Sequence, residues 1–231
     1  MSSPQLPLGL RFPSPRRFDN FVVGDNANTL ALLKRLPDDH ELTGGFLHGP
    51  EGSGKTHLQS ALVGSHPGAL YLPLAMLGNS AELALAAAAE ATLICVDQID
   101  AIAGQRGLEI ALFNLFNQAR ERGHPLLLAA RRSPTQIGLL LPDLVSRLSS
   151  LVQCPLQPLS DALRRQVVAA RAQQRGFGLS EAVLEFLFRR FPRDLGAMLD
   201  LLDQLDQKSL AEHRRITVPF VRGVIESRKT R

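Results

Sequence analysis

The chain has no tryptophan, one tyrosine (Tyr71) and two cysteines (Cys95 and Cys154) among its 231 residues. So few flat rings argue against stacking of nucleic-acid bases as the main binding mode. Both cysteines sit inside apolar runs, so they read as buried, reduced thiols rather than a disulfide framework, as expected in the cytoplasm. His40, His48, His57, His66, His124 and His213 are scattered, and no Cys/His cluster has metal-ligand spacing. No signal peptide is read, and no apolar run is long enough to cross a bilayer, so no membrane partner is expected. The alanine-rich stretch from Ala81 to Ala91 is broken by Glu82 and Glu90. It reads as an ordinary helix capped at Asn79. There are no internal repeats. The net charge of +4 is spread out. The cluster Arg222, Arg228, Lys229 and Arg231 predicts only weak, salt-sensitive DNA binding.

What the sequence does have is Gly49-Pro50-Glu51-Gly52-Ser53-Gly54-Lys55-Thr56, which fits the phosphate-cradling P-loop. An apolar run, Gly45–His48, leads in as a strand, and a helical pattern leads out from Thr56. Glycines let backbone N–H groups turn toward phosphate oxygens, and the helix adds its positive N-terminal end. Lys55 is expected to reach the β- and γ-phosphates, and the Thr56 hydroxyl to sit on Mg²⁺.

Five apolar runs alternate with helical patterns: Gly45–His48, Ala69–Leu72, Leu93–Val96, Leu126–Ala130 and Leu151–Pro155. Such an alternation predicts an α/β fold, with a parallel five-stranded sheet flanked by helices. Leu108, Ala111, Leu112, Leu115, Phe116 and Ala119 form a helical core stripe that stops at Gly123. After Pro158 the pattern turns wholly helical, with Ser160 and Ser180 as caps and Gly176 as a stop. The expected organisation is a flexible arm over 1–17, an α/β nucleotide domain over 18–158 and a small all-helical lid over 159–231.

Leu93-Ile94-Cys95-Val96-Asp97 ends a buried strand in a carboxylate, the shape of a Walker B element, so Asp97 is expected to hold Mg²⁺ beside Thr56. Gln98 follows where many ATPases of this layout carry a second acid. An amide can hydrogen-bond a water but cannot take its proton, so weak intrinsic hydrolysis is predicted. Arg147 and Arg193 stand where a composite site would use planar, permanently charged groups.

Gly49–Thr56 continuing into His57-Leu58, together with Phe18-Asp19-Asn20-Phe21-Val22-Val23-Gly24-Asp25-Asn26 upstream, resembles the AAA+ domain of DnaA, the bacterial replication initiator. The resemblance runs over roughly residues 18–225. DnaA also carries an N-terminal interaction domain and a C-terminal helix-turn-helix domain, and these residues match neither. The shorter plan resembles the branch of that family formed by regulatory inactivators of DnaA. So do Leu156–Asp161, Leu202–Asp206 and Ile216–Val221. The arm residues Gln5-Leu6-Pro7-Leu8-Gly9-Leu10 resemble the short peptide by which bacterial proteins dock on the β sliding clamp.

The resemblance implies a P-loop AAA+ fold with a helical lid. It implies that Gly49, Pro50, Glu51, Gly52, Ser53, Gly54, Lys55, Thr56 and His57 bind a nucleotide, ADP or ATP, and that Phe18, Asp19, Asn20, Phe21 and Val22 line its adenine side. It makes Asp97 and Thr56 the Mg²⁺ residues. Arg147 becomes an arginine finger offered in trans, and Arg193 a lid arginine on the chain's own nucleotide. Gln5, Leu6, Leu8 and Leu10 become clamp-binding residues. The strand ending in Ala129 and Ala130 departs from the family, which usually places a polar group there. The implied partners are the sliding clamp, DnaA, a further copy of the chain, and DNA through the clamp. The implied role is stimulation of DnaA-bound ATP hydrolysis, with a self-sufficient ATPase such as a helicase loader as the rival.

Overall fold

The structure is a computed structural model that describes residues 16–39, 41–190 and 195–229. Five parallel strands form one sheet: β1 (Gly44–His48), β2 (Ala69–Pro73), β3 (Leu93–Asp97), β4 (Leu126–Ala130) and β5 (Val152–Pro155), in the order β2-β3-β4-β1-β5. The five apolar runs become these strands to within one residue at each end. β3 and β4 are buried along their whole length, as strands covered on both faces must be.

The helices of this layer are α1 (Ala27–Arg35), α2 (Lys55–Ser65), α3 (Leu74–Leu77), α4 (Ala81–Ala87), α5 (Arg106–Arg122) and α6 (Pro142–Ser149). On one face α5 and α6 pack with Phe46, Ile94 and Leu128. On the other, α1 and α2 pack with Leu47, Cys95 and Leu127. Successive strand residues thus feed opposite cores, the period-two consequence of the pleat. The core stripe read from Leu108 to Ala119 lies on α5, which ends at Gly123 with φ 70°, a left-handed stop that glycine accommodates.

The alanine-rich stretch corrects one expectation. Asn79 does not cap a helix running to Ala91. It lies inside a 3-10 turn, Gly78–Ser80, and α4 spans only Ala81–Ala87 before a second such turn, Ala88–Glu90. The positive φ of Gly78 and the packing of Ala81, Leu85, Ala88 and Ala89 into the core break the segment into short pieces.

Beyond β5 the chain is helical: α7 (Asp161–Gln174), α8 (Glu181–Arg190), α9 (Leu195–Glu212) and α10 (Val218–Lys229). Ser160 accepts from the Leu163 N–H at 3.3 Å and Ser180 from the Val183 N–H at 3.4 Å, so both caps act as read. These helices bury their own core, which includes Val168, Leu187, Met198, Leu202, Leu205 and Val221. At the end of α7, Arg175 is ion-paired with Asp203 and Asp206 of α9.

Candidate functional site

The strands are parallel, so the exits of β1, β3 and β4 lie along one edge of the sheet. β1 sits beside β4, and β4 beside β3. Loops at such an edge form the crevice where open α/β sheets bind ligands.

The loop from Gly49 to Gly54 leaves β1 and enters α2 at Lys55. Gly52 and Gly54 have φ of 76° and 99°, values L side chains rarely adopt. A Cβ on Gly54 would also stand 2.6 Å from the Phe21 ring. The Lys55 ammonium folds over the loop and donates to the Gly49 and Pro50 carbonyls at 2.7 and 2.8 Å. Partial burial pulls the Lys55 pKa below the ordinary lysine value. Asp97 and Asp100 oppose that shift and Arg131 adds to it.

Asp97 closes β3 and is 1% exposed. Its Oδ2 accepts from the Thr56 hydroxyl at 2.6 Å and from the Tyr71 hydroxyl at 2.8 Å, and its Oδ1 accepts from the Gln98 N–H at 2.8 Å. Two hard oxygen donors, one hydroxyl and one carboxylate, therefore converge at the start of α2, a donor set that suits Mg²⁺. Gln98 sits in the left-handed region at φ 61° and ψ 46°. For a glutamine that backbone carries strain, of the kind that collects at functional sites.

The segment assigned to the adenine side lies against the start of α2. Phe18–Asn20 form a 3-10 turn. The Phe21 ring lies 5.4 Å from the His57 imidazole, whose Nε2 donates to the Arg17 carbonyl at 2.9 Å. Burial is the main cause that lowers the His57 pKa. Phe18 lies under the Lys34 ammonium at 5.9 Å. The tertiary fold thus brings together Phe18–Val22, Gly49–His57 and Asp97.

Arg147 is not in this crevice. It lies in the last turn of α6 and lines a cleft of about 550 Å³ with Thr43, which immediately precedes β1, and Ser150. Those positions mark the entry ends of β1 and β5, whereas the P-loop is at the exit end. Five strand residues separate the two ends by roughly 16 Å, so Arg147 does not serve this chain's own P-loop. Among the described residues its guanidinium has no ion-pair partner. Arg193, Gln5, Leu6, Leu8 and Leu10 lie outside the described residues.

Several residues of the crevice were not read from the sequence. Ala129 and Ala130 are fully buried, as their side chains allow. The residue that leaves β4 into the crevice is Arg131. Its N–H donates to Asp100 Oδ2 at 2.8 Å, and its guanidinium lies 3.7 Å from Glu51 of the P-loop. The crevice therefore carries a second cation beside Lys55. Tyr71 reaches Asp97 from the neighbouring strand β2. Gln59 is fully buried and donates to the Val96 and Leu127 carbonyls at 3.1 and 3.0 Å, which ties α2 to β3 and β4. A basic residue directly after an apolar strand was the available signal for Arg131. Tyr71 and Gln59 carry no sequence signal, because each acts across the sheet.

Sheet order, P-loop, carboxylate-ended strand and following helical layer together define an AAA+ P-loop protein. Residues 161–225 match the family model described as "Hda, lid domain". That match is confined to the helical segment, and the chain as a whole has the AAA+ fold shared by DnaA-like proteins.

Domain III of the Thermotoga maritima replication initiation protein DnaA is similar in structure with a TM-score of 0.74 at 20% sequence identity, over 93% of this chain and 97% of that one. A replication initiator DnaA bound to AMPPCP and single-stranded DNA gives 0.68 at 19% identity, over 88% and 70%. The Thermotoga maritima RuvB Holliday junction branch migration motor gives 0.63 at 19% identity, over 92% and 72%. At these identities the likeness carries the fold alone. No helix among the described residues is long and apolar enough to cross a membrane.

Proposed function

We propose that this chain is a cytoplasmic regulator of replication initiation that stimulates hydrolysis of ATP bound to DnaA. The observation that carries the reading is the position of Arg147, at the edge of the sheet opposite the chain's own P-loop and lining an open cleft. A guanidinium so placed suits a nucleotide presented by a second AAA+ subunit. Water attacks the γ-phosphorus of that ATP and the bond to the β-phosphate oxygen breaks, leaving ADP and phosphate on DnaA. Arg147 meets the negative charge that develops on the transferring group. An arginine supplied this way is worth about 10³–10⁵ in rate in GTPases.

The chain's own crevice holds an adenine nucleotide, ADP in the resting protein. The loop N–H groups and Lys55 bind its phosphates, Phe18–Val22 flank the base, and Thr56 and Asp97 hold Mg²⁺. Held there, the ion would neutralise phosphate charge. Arg193 of the lid contacts the same nucleotide. Gln98 orients water poorly for proton abstraction, so this site stabilises the fold more than it turns over. The lid is the segment 159–231, following a nucleotide-binding body over 18–158. The arm, through Gln5, Leu6, Leu8 and Leu10, docks in an apolar groove of the β sliding clamp. Tethering to a clamp on DNA raises the local concentration of the regulator.

The test is hydrolysis of DnaA-bound ATP in the presence of clamp loaded on DNA. The parent chain accelerates it, Arg147→Ala does not, and replacing Gln5 and Leu6 by Ala removes the dependence on the clamp. Equal stimulation by parent and Arg147→Ala, or brisk ATP turnover by the isolated chain, overturns the reading.

A further inference from the structure

The cleft that holds Arg147 contains a second unspent guanidinium. One wall is the face of α5 that carries Phe113, Phe116 and Arg120, at helical spacing. The other wall is the face of α6 with Asp143, Ser146 and Arg147. Arg120 is exposed and sits in the last turn of α5.

Its neighbour Arg122 is occupied, donating to the Ala89 carbonyl at 2.6 Å and pairing with Glu90 at 2.8 Å. Arg35, Arg165, Arg175 and Arg189 are ion-paired as well. Among the described residues, neither Arg120 nor Arg147 has an ion pair. The cleft is therefore lined by two guanidinium groups and one carboxylate, Asp143, with apolar rings in one wall.

We propose that Arg120 and Arg147 form a two-arginine clamp for the terminal phosphate of a nucleoside triphosphate held by a second AAA+ subunit. The inference rests on the reading of Arg147 given above and adds a contact from a different helix. Planar forks suit phosphate oxygens because each presents paired N–H donors in a fixed geometry. The two arginines hang from different helices, so they approach the anion from two sides. Phe113 and Phe116 remove water from one wall, which strengthens both contacts. Asp143 lies one turn before Arg147 and offsets part of the positive charge when no anion is present.

The test uses the full chain, clamp loaded on DNA and ATP-bound DnaA, with single-turnover hydrolysis measured at increasing regulator concentration. Arg120→Ala is expected to lower the maximal rate about tenfold to a hundredfold. Arg120→Lys stays low, because a point charge lacks the fork. Binding of ADP to the chain's own P-loop is unchanged in both variants and reports that they are folded. A maximal rate in Arg120→Ala within twofold of the parent, with Arg147→Ala inactive, overturns the clamp and leaves the finger standing. Full recovery of Arg120→Ala at high regulator concentration also overturns it, since Arg120 would then serve docking alone. An Arg147→Ala variant as active as the parent overturns the underlying reading instead.

Discussion

The hydroxyl of Tyr71 donates to Asp97 Oδ2 at 2.8 Å, the same oxygen that accepts from Thr56. One carboxylate oxygen thus joins β2, β3 and the start of α2. The arrangement makes the single tyrosine of the chain a reporter on the proposed metal position.

Burial, and then the charge of Asp97, push the Tyr71 pKa well above its ordinary value. Its neutral form is therefore favoured in the folded state. The linked stability is fully present below the unfolded tyrosine pKa of about 10 and is lost as pH rises through the higher folded value. The expected outcome is that the parent loses stability on going above about pH 10, and that Tyr71→Phe loses less over the same range. Tyrosinate absorbance and denaturant unfolding against pH measure both. Titration of Tyr71 at its ordinary pKa in the folded protein would contradict the hydrogen bond.

Arg131 and Glu51 form an exposed ion pair at 3.7 Å, which is weakly held. The guanidinium is free to turn toward a bound polyphosphate. Arg131→Ala is expected to weaken ATP binding about tenfold more than ADP binding, the worth of one charge-assisted hydrogen bond. Calorimetric titration with each nucleotide reads the ratio. An equal loss for both nucleotides would show that Arg131 acts on the loop as a whole.

Glu109 is fully buried and accepts from the N–H groups of Gly104, Leu140 and Leu141 at 2.9, 2.8 and 2.8 Å. It holds the loop that enters α6, and so the helix that carries Arg147. Glu109→Ala leaves buried donors without partners and is expected to cost roughly 3–5 kcal/mol. That corresponds to a fall in Tm of roughly 10 °C. Scanning calorimetry checks it. A change under 1 °C, far below the roughly 10 °C expected, would mean that water replaces the carboxylate.

Asn26 is 3% exposed and clasps Gln157 by two hydrogen bonds, Nδ2 to the carbonyl at 3.0 Å and Oδ1 from the N–H at 2.7 Å. It joins the entry of α1 to the segment after β5. Asn26→Ala is expected to destabilise by about 2 kcal/mol, two ordinary hydrogen bonds. Asn26→Asp keeps the acceptor but sets a buried carboxylate oxygen against the Gln157 carbonyl, so it should destabilise at least as much as Asn26→Ala. Urea midpoints rank the three chains, and any other order removes the clasp from the account.

Local pattern was enough for the elements that built themselves. The five apolar runs, the caps at Ser160 and Ser180 and the stop at Gly123 depend on residues close in sequence, and so does the P-loop, whose glycines set their own backbone angles. The short helices between Leu74 and Glu90 were not legible this way. A uniform alanine-rich stretch does not encode where core packing interrupts it.

Long-range placement was decided by the tertiary structure alone. Nothing in the order of residues says that β4 lies between β1 and β3, yet that insertion aims Arg131 into the crevice beside Lys55. The same sheet puts Tyr71 against Asp97 and sends Arg147 to the opposite edge. A sequence fixes which side chains can carry charge or donate a proton. Only closure of a parallel sheet, with every strand exit on one side, determines which of them meet.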